Sequence, residues 1–297
     1  MANLKEVKGR IQSVSSTQQI TKAMKMVAAA KLRRAQDRIT QMRPYSQKLS
    51  SIIGNVSSGV DTSKIENPYA EVRPVGKVLL VVVTSDRGLC GGFNSNIFKS
   101  VKSLISEKYS DVEKAGNLTI MPMGKKAYDF YRKRGFQIVD DYHLIFGDLD
   151  FAHSMEASDF AMSGFLDGKF DKVEIIFNEF KNVATQIVRQ EQLLPIEVKE
   201  SEGEEESSSS DYIFEPSQDF IFKEIIPKSL KVQFYKTLLE SNASEQGARM
   251  TAMGQATDNA GELLKELKLT YNRTRQAAIT KEILEIVGGA EALAQGG

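Results

Sequence analysis

No proline interrupts residues 241–290, and within them small and apolar residues recur at alternating steps of three and four. Met250, Met253, Thr257, Ala260, Leu264, Leu267, Tyr271, Thr274 and Ala278 fall on that line, the heptad seam of a coiled coil. Gly247, Gly254 and Gly261 lie seven apart on a neighbouring line. Glycine costs a helix interior about 1 kcal/mol relative to alanine, so its repetition predicts that something approaches this backbone closely. Gly288 and Gly289 supply a C-terminal stop. A helix over these 50 residues runs about 75 Å at about 1.5 Å per residue. A small domain cannot bury such a rod, which calls for a partner helix or a sleeve of other subunits.

The partner lies at the other end of the chain. Leu4, Val7, Ile11, Val14, Gln18, Thr21, Lys25, Ala28, Leu32, Ala35, Ile39 and Met42 alternate in the same steps, and Leu49, Ile53 and Val56 continue the phase. This predicts an N-terminal coiled-coil helix over 1–57, kinked or interrupted near Pro44. Polar Gln18, Thr21 and Lys25 on the seam weaken a simple pairing; register specification or contact with a third body explains them. The charge here is lopsided. Lys5, Lys8, Arg10, Lys22, Lys25, Lys31, Arg33, Arg34, Arg38, Arg43 and Lys48 face only Glu6 and Asp37 as acids. A solvated face, a nucleic-acid-binding helix and attraction to an acidic protein ring all remain open. The second lacks stacking aromatics before Tyr45 and any base-reading motif.

Between the helices the period changes. Residues 58–76 read as a linker carrying Gly59, Pro68, Pro74 and Gly76. Lys77 to Val83 is a continuous β-branched run, as in a buried parallel strand. Further strands are expected at 117–123, 136–140, 172–180 and 183–198, with a return strand at 211–214. Helices are expected at 95–109, 125–134 and 151–166. This alternation predicts an inserted Rossmann-like α/β domain over 77–216. Its acidic, serine-rich stretch at 199–210 reads as a mobile hairpin tip. The C-terminal coiled-coil segment covers 217–297, its helix starting near Lys228 after Pro227. The fold class is α/β, a long antiparallel coiled coil of terminal helices around that insert.

Composition narrows the function. Lys+Arg and Asp+Glu are equal at 39 each among 297 residues, and Cys90 is the one cysteine, so no intrachain disulfide forms. No run of 18 apolar residues exists to span a membrane. MANLKEVKGR lacks an apolar signal core, which predicts a cytoplasmic protein. The glycine-rich turn at 84–94 invites a phosphate-binding reading, but no Lys-Ser/Thr follows the glycines and GxGxxG spacing is absent. A tight turn packing strand on helix is favoured there. The Gly-Lys at 124–125 is equally bare. Cys90 has no histidine near it in sequence. His143 and His153 lack metal-ligand spacing, and Asp140, Asp141, Asp148 and Asp150 follow no calcium-loop pattern. No catalytic constellation, cofactor site or metal site emerges.

Three blocks carry a family resemblance: IQSVSSTQQITKAMKMVAAAKLRRAQDRI at 11–39, TSDRGLCGGFN at 84–94, and the long block at 244–293. In that order they resemble the gamma subunit family of F-type ATP synthase across nearly the whole chain. The resemblance implies a non-catalytic rotor shaft inside a ring of alpha and beta subunits. Its foot, with the epsilon subunit, stands on the membrane c-ring. Proton flow turns the shaft and drives each beta subunit through its conformations; ATP chemistry belongs to beta. The implied location is the cytoplasmic face of a bacterial inner membrane, reached through the complex, with no nucleic-acid partner. The acidic ring then favours the third reading of the basic face. Carried over by position, Arg275 and Gln276 contact the beta catch loops. Arg249, Thr280 and Glu282 serve coupling, and Met24 lies near an acidic beta segment. Pro44, Tyr45, Tyr212 and Glu215 lie near the c-ring or epsilon. The acidic tip is longer than the simplest members imply. The chloroplast members' cysteine pair is missing, so a thiol switch is not expected. A Rossmann-like nucleotide-binding protein with helical extensions is the alternative.

Overall fold

A computed structural model describes residues 4–58, 67–196 and 218–295. The acidic tip at 199–210, the return strand at 211–214, Tyr212 and Glu215 lie outside them. In chain order the elements are α1 (Leu4–Ser58), β1 (Val78–Val83), α2 (Phe93–Lys108), α3 (Ser110–Lys114), β2 (Leu118–Met123) and α4 (Lys125–Arg132). There follow β3 (Gln137–Ile138), α5 (Phe151–Leu166), β4 (Lys172–Phe180), β5 (Gln186–Leu194) and α6 (Gln218–Gln295). The chain forms two compact units, one of residues 1–28 with 250–297, the other of residues 29–249.

The first unit is an antiparallel helix pair. The Gln18 side-chain amide donates to the Thr257 carbonyl at 3.4 Å, and the Thr21 and Thr257 hydroxyls stand 2.8 Å apart. Lys25 lies over Gly254 and Gln18 over Gly261, so sequence rises along one helix as it falls along the other. Val7, Thr21, Ala28, Met253, Ala260 and Leu264 are buried, as the two heptad lines require. The polar seam residues thus specify register: a slip would strand their hydroxyl and amide bonds. The seam ends sooner than its spacing suggests. Ala278 is exposed, because the register places Leu4, the first described residue of α1, near Arg275.

The second unit holds a five-stranded sheet in the order β3-β2-β1-β4-β5. β1 runs parallel to β2 and β4, β2 parallel to β3, and β5 antiparallel to β4. Every residue of β1 is buried, which is why its run shows no alternation. α2 and α4 close a core containing Val82, Ile97, Val101, Ile120, Ala127 and Tyr131.

Several boundaries differ from the sequence reading. β5 starts at Gln186 and not at Val183, because the Asn182 carboxamide accepts from the Ala184 and Thr185 amides and makes a turn there. β3 shrinks to two residues as Phe136 packs edge-on against Tyr131. α1 runs through Pro44 without the interruption that reading allowed. α6 is already helical at Gln218 and continues through Pro227. Ile226, Leu230, Phe234 and Leu238, spaced by four, are all buried; burying that stripe outweighs the hydrogen bond a proline removes. The same part of α6 packs on α5 through a Lys231–Asp159 ion pair at 2.7 Å and an edge-on Phe151–Tyr235 contact.

Candidate functional site

The end of α6 is bare. From Arg275 to Glu291 every residue is exposed, including Ile279, Ile283, Leu284, Ile286 and Val287. These apolar residues share one broad side of the helix, opposite Lys281 and Glu285, and an exposed apolar face of that kind marks a partner-binding element. Four expected contact residues sit here together: Arg275, Gln276, Thr280 and Glu282. The Thr280 hydroxyl donates to the Gln276 backbone carbonyl at 2.9 Å, and Gln276 is exposed.

α1 supplies a basic face. All eleven of its lysines and arginines named above are exposed, and among them stand exposed Ile20, Met26 and Val27. Met24 is half-buried. Arg10 pairs with Glu6 at 3.3 Å, while Arg38 donates to the Leu149 carbonyl at 3.1 Å. Pro44 and Tyr45 are exposed on the same helix.

The glycine-rich turn after β1 is bound by its own chain. The Ser85 amide donates to Asn94 Oδ1 at 3.0 Å, and Asn94 Nδ2 donates to Ser85 Oγ at 2.8 Å. Cys90 is buried beside them, its Sγ 3.6 Å from Ser85 Oγ. Burial pushes its thiol above the ordinary value, against the Ser85 hydrogen bond and the Arg249 charge. Arg249 of α6 donates to the Gly88 carbonyl, to the Arg87 carbonyl at 3.1 Å, and to Glu245 Oε1 at 2.5 Å. Glu245 is one helical turn before it and 7% exposed. Burial raises the Glu245 carboxyl above the ordinary range, with Arg249 pulling it back. Sequence reasoning missed Glu245; the Glu–Arg spacing of four on a helix was the available signal.

The first turn of α4 also meets ligands from within. Its Lys125 amide donates to Asp86 Oδ1 at 3.0 Å, its Lys126 amide to the Ser85 carbonyl at 3.1 Å, and its Ala127 amide to Thr84 Oγ1 at 2.9 Å. The place a phosphate takes at a helix N-terminus is held by the Asp86 carboxylate. This arrangement packs the 84–94 turn and α4 together and disfavours the nucleotide-binding alternative. Asp148, Asp150 and His153 gather on the surface with ligand atoms within 4.8 Å of one another, a proximity their spacing did not suggest. Asp150 caps α5 by accepting from the His153 amide at 2.8 Å, and its carboxylate lies 2.9 Å from His153 Nδ1. No helix among the described residues is long and apolar enough to cross a membrane.

Comparison with known proteins gives a consistent result. A family model described as ATP synthase matches residues 3–293. The chain is 58% identical over 294 residues to the ATP synthase gamma chain of Cytophaga hutchinsonii, covering 99% of both sequences. Its fold is similar to a chain in a structure of the central stalk and c-ring of the Tetrahymena thermophila mitochondrial ATP synthase, at 25% identity and a TM-score of 0.56, covering 80% of this chain and 99% of that one. It is also similar to a chain of the Euglena gracilis mitochondrial ATP synthase, at 20% identity and a TM-score of 0.66, covering 99% and 95%.

Proposed function

This chain belongs to the ATP synthase gamma-chain family, and from that premise we propose that it is the central rotor shaft of an F-type ATP synthase. The observation that carries the reading is a family match over nearly the whole chain, on a helix pair whose α6 end is bare and apolar. Proton flow through the c-ring turns the shaft. As it turns, its uneven surface acts as a ligand that stabilises a different beta-subunit conformation at each angle. Without differential contact there is no shift of populations, so the exposed residues of α1 and α6 do the coupling. The chain is non-catalytic, and ATP chemistry stays on beta.

Arg275 and Gln276 engage beta as hydrogen-bonding groups on the bare helix, with Thr280 and Glu282 beside them. Met24 and the basic face of α1 meet acidic beta segments, where opposite potentials attract. Pro44, Tyr45, Tyr212 and Glu215 belong to the foot against epsilon or the c-ring. The coiled-coil segments are 1–57 and 217–297 around an α/β insert at 77–216. The protein works at the cytoplasmic face of a bacterial inner membrane, held there by the complex.

Reconstitution tests this. The purified chain is mixed with alpha and beta subunits of its own synthase, and assembly and ATP hydrolysis are assayed. Assembly with hydrolysis that needs this chain is expected. A folded, soluble chain that neither assembles nor affects hydrolysis overturns the proposal.

A further inference from the structure

We propose that the groove between α2 and α4 is a docking seat for a short acidic segment of another protein. Its floor is a stack of planar groups. The Phe98 ring of α2 and the Phe130 ring of α4 lie face to face, 4.0 Å between centroids and 4° apart in plane. Arg134, in the turn that follows α4, covers the other face of Phe130, its Cζ 3.5 Å from the ring centroid. Its guanidinium also donates to the Phe130 carbonyl at 3.0 Å. A ring and a carbonyl thus hold this guanidinium before any partner arrives, so little side-chain freedom is lost on binding.

The charges around the stack share one sign. α2 and α4 run the same way, since each returns between parallel strands. Lys102 comes four residues after Phe98 and Arg134 four after Phe130, so the stacked rings bring both cations to one end of the groove. Lys126, four residues before Phe130, belongs to the other end. All three are exposed, and among the described residues none of them forms an ion pair. The acids of the two helices, Glu107 and Asp129, fall off these lines, and Glu107 accepts from the Ser103 hydroxyl at 2.5 Å. Cations gathered without an acid between them repel one another. Carboxylates brought by a partner remove that repulsion and meet a guanidinium already in place.

Carboxylates on a protein suit this seat better than the two other common polyanions. A nucleic acid stacks its bases on open aromatic faces, and here Phe98 and Arg134 cover both faces of Phe130. A membrane-binding surface pairs its cations with apolar side chains that enter the lipid. Among the described residues no exposed large apolar side chain lies between Leu89 and Leu144. The seat is separate from the basic face of α1, and it does not rest on the rotor reading.

The test uses the full-length chain and a hexaglutamate peptide carrying a benzophenone, with the photo-cross-linked residues mapped by mass spectrometry. Cross-links within 98–102 and 130–136 are expected. At sub-saturating peptide their yield is expected to fall about tenfold in Arg134→Gln, which loses a charge-assisted hydrogen bond. In Lys102→Gln, which loses an exposed ion pair, it is expected to fall about threefold. Cross-links confined to α1, or yields at α2 and α4 unchanged in both variants, overturn the proposal. Competition with vesicles of equal parts phosphatidylglycerol and phosphatidylcholine, and with oligothymidylate, separates the sources of negative charge. Displacement of the peptide by either at a lower charge concentration than unlabelled hexaglutamate requires overturns the acidic-protein occupant. The peptide assay needs no other subunit, so its failure and failure of the rotor reading are separable.

Discussion

The Nζ of Lys25 lies 3.4 Å from where a β-carbon on Gly254 would stand, within the antiparallel helix pair. That is ordinary van der Waals contact with the end of a flexible side chain. Gly261 is tighter: its β-carbon would stand 3.0 Å from Gln18 Nε2, and that amide is bonded to the Thr257 carbonyl. Gly254→Ala is therefore expected to stabilise the chain by up to about 1 kcal/mol, the helix-propensity gain. Gly261→Ala is expected to gain less or to lose, since Gln18 must give way. Urea unfolding of the two variants against wild type checks the order. Equal effects would show that Gln18 moves freely.

Gly124 is a different case. Its φ is +114°, and a β-carbon there would stand 2.2 Å from the Thr84 carbonyl oxygen, which is backbone and cannot swing away. Gly135, with φ +76°, has nothing within 4 Å. Gly135→Ala is expected to cost only backbone strain, about 1–2 kcal/mol. Gly124→Ala adds a clash with the Thr84 backbone just after β1 and is expected to cost about 3 kcal/mol or more. Denaturant midpoints decide; a Gly124→Ala midpoint near that of Gly135→Ala would contradict the close contact.

The long elements were legible because each repeats one signal many times. The heptad lines of α1 and α6 carry the buried Val7, Thr21, Ala28, Met253, Ala260 and Leu264, and the apolar run of β1 is buried throughout, while Lys25 and Ala278 on those lines are exposed. Short-range chemistry was harder to read. Asn182 trims β5 with one side chain, and nothing in its neighbours announces that. Proline misled at Pro227, because local propensity ignores the burial on either side of it, while at Pro44 the helix runs on without interruption. Of the glycines spaced by seven, Gly261 has the close approach, from Gln18 at 3.0 Å, while Phe180 at Gly247 and Lys25 at Gly254 stand at 3.4 Å, an ordinary contact. The hydrogen bonds from Arg249 to the 84–94 turn join residues more than 150 apart in sequence, a distance at which spacing carries no signal.

Glu245 makes the chain's stability depend on pH in a defined direction. It faces Arg249, Asp86 and Lys31, with burial the leading influence, and its carboxyl is raised above the ordinary 4.5. The folded chain then holds this proton more tightly than the unfolded chain. Its stabilising contribution is full below the ordinary value and is lost as pH rises through the folded one. Glu240 shifts the same way, so wild type alone does not isolate the effect. Glu245→Gln cannot ionise. Its stability relative to wild type is expected to rise with pH from the ordinary carboxylate range toward neutrality, measured by urea unfolding at several pH values. A difference flat in pH would remove Glu245 as the source.

Arg275 and Gln276 are exposed on the end of α6. Replacing either by alanine removes little intrachain packing. The unfolding free energy of the isolated chain is therefore expected to stay within about 0.5 kcal/mol of wild type. Within the assembled synthase each is proposed to hydrogen-bond beta. Losing one such bond is worth about 0.5–1.5 kcal/mol, which is about two- to tenfold in an equilibrium. ATP-driven proton pumping per ATP hydrolysed is expected to fall for each variant while the chain stays folded. Both halves of that outcome matter. Lost stability in the isolated chain would show that the side chains pack within the molecule, and unchanged pumping would show that beta does not bind them.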